Sequence, residues 1–154
     1  MKYSLADYIL TIQPMTTDSA FNLIFGNEGS FTIGGNGDDI GSVSASHDDD
    51  LWSTVSYATG GYVHNKNLSK VGKVNVSLNQ LAPQVAKLID LCKVWRSNGT
   101  ENGLTLTLTG LSGNDNKTVF IATDSYIVKE PEQVFGNTAA DQDWQFTVGE
   151  LTFN

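Results

Sequence analysis

The sequence has a single cysteine, Cys92, among its 154 residues. One thiol cannot form an internal disulfide, so nothing in the chain calls for an oxidising compartment. Basic residues are missing from a long stretch: no Lys or Arg stands between Lys2 and Lys66. With a net charge of −8, this speaks against a protein that binds nucleic acid tightly by neutralising phosphates. No apolar run approaches the roughly 20 residues that a membrane helix requires. The start, "MKYSLADYILTIQPM", lacks the pattern of a signal peptide, because Asp7 interrupts its apolar run and no small-residue cleavage site follows. Only two histidines, His47 and His64, are present, which leaves few partners for a histidine-based metal or catalytic site.

What the chain does have is Ser, Thr, Asn and Gly. Charged residues make up 17%, below the usual quarter, so its polarity comes from small uncharged side chains suited to short strands and tight turns. Its length fits one domain, residues 1–154, with a core large enough to need no staples. The charge is uneven. Residues 1–65 hold eight acids against one lysine, and residues 66–154 hold eight bases against nine acids.

Alternation of apolar and polar residues marks strands throughout. "GSVSAS" sets Val43 and Ala45 against Ser42, Ser44 and Ser46. "GKVNVSLNQ" sets Val74, Val76 and Leu78 against Lys73, Asn75, Ser77 and Asn79. "GLTLTLTGL", "NKTVFIATDSYIV" and the closing "DWQFTVGELTF" read the same way, as do the shorter "SLADYILTI", "FNLIFG", "SFTIGG" and "LWSTVSYA". "GNDN" at 113–116 predicts a hairpin turn, and "IGGNGDDIG" a bend between strands. One segment has a helical period: in "LAPQVAKLIDLCKVW", Leu81, Val85, Leu88, Cys92 and Trp95 recur at steps of four and three, which predicts a core-facing stripe. Pro83 suits its first turn. The expected fold is mainly β, an antiparallel barrel or sandwich with one helix, about residues 82–95, packed against it. One helix is too few for the crossovers of a parallel sheet.

Chemistry finds little footing. The run His47-Asp48-Asp49-Asp50 lacks the separated, converging ligands of a metal site, since adjacent residues of an extended segment point to opposite sides. Cys92 lies on the helix's apolar stripe and reads as a core residue. No serine stands in a nucleophile elbow and no glycine-rich segment has the spacing of a phosphate loop. The expectation is therefore no enzyme and no cofactor. A small β-sandwich binding module, for carbohydrate for example, is the rival reading, with Trp52, Trp95 and Trp144 as candidate stacking faces.

Residues 52–91 carry a resemblance. Gly60 and Gly61 at a turn are followed by Lys70, Gly72, Val74, Val76 and Leu78 in the pattern K-x-G-x-V-x-V-x-L, then by Pro83 and the helix. This resembles the tail tube proteins of contractile phages, and the closing segment with Trp144, Phe146 and Leu151 is similar to that family's last strand. Two departures stand out: Gly60-Gly61 where the family often has Asp-Gly, and Ala82 where it has a capping Ser. The resemblance implies a tail-tube-like subunit, shared in fold with the type VI secretion needle, that forms six-membered rings stacked into a tube. DNA passes through such a lumen without specific binding. It further implies tail sheath, baseplate and tape-measure proteins as partners, a place in the virion tail and assembly in the host cytoplasm.

Under that resemblance, Ser42, Ser44, Ser46, Asn75, Ser77 and Asn79 are candidate lumen-lining residues, and net negative charge suits a conduit that repels phosphates. A loop from Asp48 to Val63, carrying Trp52 and Tyr57, is the candidate stacking element. Two roles stay open for Asp48, Asp49 and Asp50: meeting Lys66, Lys70 and Lys73 of a neighbouring subunit, or facing the lumen.

Overall fold

A computed structural model describes residues 8–16, 19–26, 29–34, 40–97, 100–110 and 117–154. Seven strands form one antiparallel sheet in the order β2-β1-β7-β8-β9-β6-β3. They are β1 (Tyr8–Pro14), β2 (Phe31–Gly34), β3 (Ile40–His47), β6 (Gly72–Asn79), β7 (Leu104–Gly110), β8 (Thr118–Ile127) and β9 (Asp141–Phe153). Two more, β4 (Trp52–Ser56) and β5 (Tyr62–Lys66), pair with each other and, among the described residues, with no other strand. Helix α2 (Pro83–Arg96) lies between β6 and β7 in the chain, and a short helical turn, α1 (Asn22–Phe25), lies between β1 and β2.

The sheet curls into a half-barrel, and the long strand β9 shows how. Its residues 141–148 pair with β6, and its residues 146–153 pair with β8. The two ladders overlap by three residues, so the sheet is staggered across β9 rather than stacked flat. A register shift between β7 and β8, at Leu104–Leu106, adds a bend where Asp124 takes a positive φ of 55°.

The core fills the inside of this curl. Val74, Val76 and Leu78 of β6, Trp144, Phe146 and Val148 of β9, Leu10 and Ile12 of β1, and Leu104 and Leu106 of β7 meet Val85, Leu88, Leu91 and Cys92 of α2 in one cluster. Period-2 alternation along β6 and over residues 141–148 of β9 is what lets them give one face to this core and the other to solvent. Helix α2 starts where Pro83 permits, with Ala82 extended at φ −62° and ψ 134° and no side-chain cap. Lys93 and Arg96 in the last turn sit favourably at the negative end of the helix dipole.

Three expectations are corrected. Leu81 is not on the core face: it precedes the helix and is 77% exposed. The residue before a proline is driven out of the helical region, so the stripe cannot extend back past Pro83. The N–H of Leu81 instead donates to Asn79 Oδ1 in a tight turn. Leu91, fully buried, belongs to the stripe in its place. "FNLIFG" is helical over Ser19–Phe25 rather than a strand, because the buried rings of Phe21 and Phe25 lie one helical turn apart and meet edge to face. Asp48 to Val63 is not a loop but most of a hairpin. The predicted turn at 113–116 and most of the bend at 33–41 lie outside the described residues.

Candidate assembly surfaces

The side of β3, β6 and β9 that faces away from the core is a regular grid. Ser42 lies opposite Ser77, which lies opposite Asp143. Ser44, Asn75 and Gln145 form the next rung, and Ser46, Lys73 and Thr147 the third. All nine are exposed or half-buried. The grid carries one cation, Lys73, and one anion, Asp143, and is otherwise small and uncharged. Five of the six residues named as lining candidates fall in it. Asn79 sits beyond the last rung, paired with Asp141, and its side chain is engaged in the turn to Leu81. Asp143, Gln145 and Thr147, which the lining candidates do not include, complete the face. Their signal is the alternation around Trp144, Phe146 and Val148, which fixes the phase of β9 over residues 141–148.

Strand β3 closes one margin of the sheet. Its outer row of backbone groups has no strand partner among the described residues, and its sequence carries neither proline nor lysine to guard that edge.

The chain then leaves the sheet as an arm. The β3–β6 ladder continues past its end: Asp48 N–H donates to Val71 O and Asn67 N–H to Leu51 O before β4 and β5 resume the pairing. At the tip, Tyr57 N–H donates to Gly61 O and Gly60 N–H to Tyr57 O. This is a three-residue hairpin loop, and Gly60 supplies its positive φ of 89°. Every residue from Asp48 to Lys70 is exposed. One side of the arm is internally engaged: Lys66 Nζ lies 5.7 Å from the Trp52 ring, Tyr62 lies against His64, and Thr54 Oγ1 is 2.8 Å from His64 Nδ1. The other side presents Val55 directly opposite Val63, with Tyr57 beyond. Strand β5 leaves little trace in the sequence because His64 and Asn65 break the apolar pattern of "YVHNK"; its one signal is that the glycine turn needs a second half.

The structure brings Asp48, Asp49 and Asp50 together with Lys70 at the base of this arm. Asp49 and Asp50 share a depression with His47, Asn67 and Lys70. Lys70 Nζ is 3.4 Å from Glu150 within the same chain, and Lys73 lies on the polar grid instead. The aspartates and Lys70 therefore mark one end of the subunit, not two opposed ends. No group of three or more His, Cys, Asp or Glu residues converges as a metal site among the described residues.

Of the tryptophans, Trp144 is fully buried. Trp95 is half-buried, its indole N–H donating to Asn102 O at 3.0 Å. Trp52 is exposed, but Lys66 lies over its ring. No pair of free stacking faces remains for a sugar. Cys92 is buried, and burial with the nearby Glu130 carboxylate pushes its thiol up to about 11. A thiol held neutral in this way is a poor nucleophile. Arg96 pairs with Glu130, holding that carboxyl below its ordinary range and tying the helix's end to the segment before β9.

Comparison with solved structures finds the same fold in contractile injection systems. A chain of the extracellular PVC sheath–tube complex in its extended state aligns with a TM-score of 0.59 at 10% identity, covering 100% of this chain and 92% of that one. A chain of the PVC sheath/tube terminator aligns at 0.57 and 12%, covering 100% and 97%. One from the anti-feeding prophage baseplate aligns at 0.55 and 7%, covering 99% and 93%. No curated protein matches in sequence. Residues 15–153 match the family described as the bacteriophage PhiTE tail tube protein. The chain, with its half-barrel, its polar grid and its arm, belongs to that tail tube protein family, a family of non-enzymatic structural components of the virion tail.

Proposed function

We propose that the chain, acting as one domain over residues 1–154, joins five copies of itself in a six-membered ring, and that rings stack head to tail into a tube whose lumen conducts DNA. The observation that carries this is the polar grid of β3, β6 and β9: a broad sheet face, opposite the core, with small uncharged side chains and one charge of each sign. Such a face offers phosphates no cluster of cations to stick to. The unguarded edge of β3 lies beside it, where strand addition from a neighbour would extend the face around a ring. The arm, exposed on both sides, is the stacking element. Sheath and baseplate proteins surround and terminate the tube, a tape-measure protein sets its length, and assembly takes place in the host cytoplasm before DNA passes.

Negative-stain imaging of the purified protein at high concentration tests the reading. Rings or tubes of uniform width are expected. Monomers that persist at every concentration overturn it.

A further inference from the structure

A groove lies at the end of the sheet opposite the arm. Its floor is Ala82, Val85 and Ile89 beside Gln142, and its rim is Leu81 and Phe135. The cavity measures about 290 Å³. Leu81 is 77% exposed and Phe135 is 87% exposed, a large apolar surface to leave to water in one place. Gln142 points the other way in polarity. It is only 5% exposed, and among the described residues its Oε1 has no hydrogen-bond partner. A buried acceptor normally finds a donor, so this one marks a place where a donor from outside would be bound. The groove therefore asks for an aromatic group with a polar tip.

We infer that this groove is the seat for the arm of a second copy of the chain, and that Tyr57 enters it with its hydroxyl donating to Gln142 Oε1. The inference rests on the stacked-ring reading above. Strand β6 fixes the geometry: it begins at Gly72, at the arm's base, and ends at Asn79, where Gln80 N–H bonds Ala140 O at the groove. Seat and arm are thus separated by the whole strand, about 24 Å, on opposite ends of the subunit. The arm, from Asp48 to Tyr57, extends roughly 30 Å at strand spacing, enough to pass the end of one copy and overlap the next.

Head-to-tail contact needs two different, complementary patches on one chain, and these are such a pair. The arm supplies what the groove lacks. Its Val55, Val63 and Tyr57 side is apolar and ends in a hydroxyl, whereas the Trp52 side is taken up by Lys66 and His64. The need is mutual, since a lone two-stranded hairpin is marginal in water.

Cysteine cross-linking of assembled tubes tests the seat. Tyr57→Cys is combined in turn with Leu81→Cys, Ala86→Cys and Phe135→Cys. Mild oxidation of tubes should give a ladder of covalent multimers for at least one pair and for no single variant. A second variant, Leu81→Asp, should melt as the parent does, form rings, and raise the concentration needed for tubes by at least about tenfold. Tubes that form but give no ladder from any pair overturn the seat and leave the tube reading intact. Tubes from Leu81→Asp at the parent's concentration also overturn it and assign the groove to another occupant, such as a surrounding sheath protein. A parent chain that never assembles overturns both readings.

Discussion

Gly72 shows how much a single residue can decide. A Cβ built there would lie 2.5 Å from Ser46 O and 2.9 Å from a Leu151 methyl. The first contact is with backbone, which cannot swing aside. The chain therefore needs glycine where β6 meets β3 at the foot of the arm. Gly72→Ala should cost about 1–3 kcal/mol as an overpacked site, read as a fall in the thermal midpoint, and an unchanged midpoint would refute the contact. Cys92 makes the opposite kind of claim. With its thiol pushed up to about 11, it should stay unreactive toward a thiol reagent at pH 8 in the folded chain. It should react fully in denaturant; equal rates in both would place it at the surface. Both residues stood out in the sequence, Gly72 in a motif and Cys92 on an apolar stripe. Leu81 misled because periodicity counts residues and does not see that Pro83 resets the backbone before it.

Elements were legible where period and burial agree. β6, β7 and β9 alternate because one face meets the core, and α2 shows its stripe for the same reason. The helix gives a direct test. Leu88 is fully buried, on the face of α2 that packs into the core. Leu88→Ala should cost roughly 2–5 kcal/mol, seen as a lower denaturation midpoint with the slope unchanged. An unaltered midpoint would detach the helix from the core. Elements without burial were harder to see. The arm has no core to alternate against, so β5 leaves no period-2 trace and the segment reads as loop. α1 is ambiguous for a different reason: three apolar residues in a row, Leu23 to Phe25, fit strand and helix equally, and the contact of Phe21 with Phe25 separates them.

At the scale of the whole molecule, the charge distribution becomes spatial. The excess of acids in residues 1–65 includes Asp48, Asp49 and Asp50, which sit at the arm's base just past Ser46 at the end of the grid. The grid itself repels nothing strongly; it is close to neutral, and its property is the lack of cations. Which side chains form it depends on strand order, and non-local pairing such as β3 with β6 and β6 with β9 is not written in any local stretch. That difference yields a prediction. Ser44, Asn75 and Gln145 share one rung, and none is buried in the core. Replacing all three with lysine adds three charges per subunit to the grid without touching the packed face, so the subunit should fold and melt within a few degrees of the parent. Tubes built from it should retain DNA added before assembly, and release it as salt rises, because each phosphate neutralised returns a counterion on release. Asp90→Lys with Ser97→Lys, both exposed on the helix side, adds the same three units of charge as a control and should retain none inside. Triple-lysine tubes that hold no more DNA than parent tubes would take the grid out of the lumen.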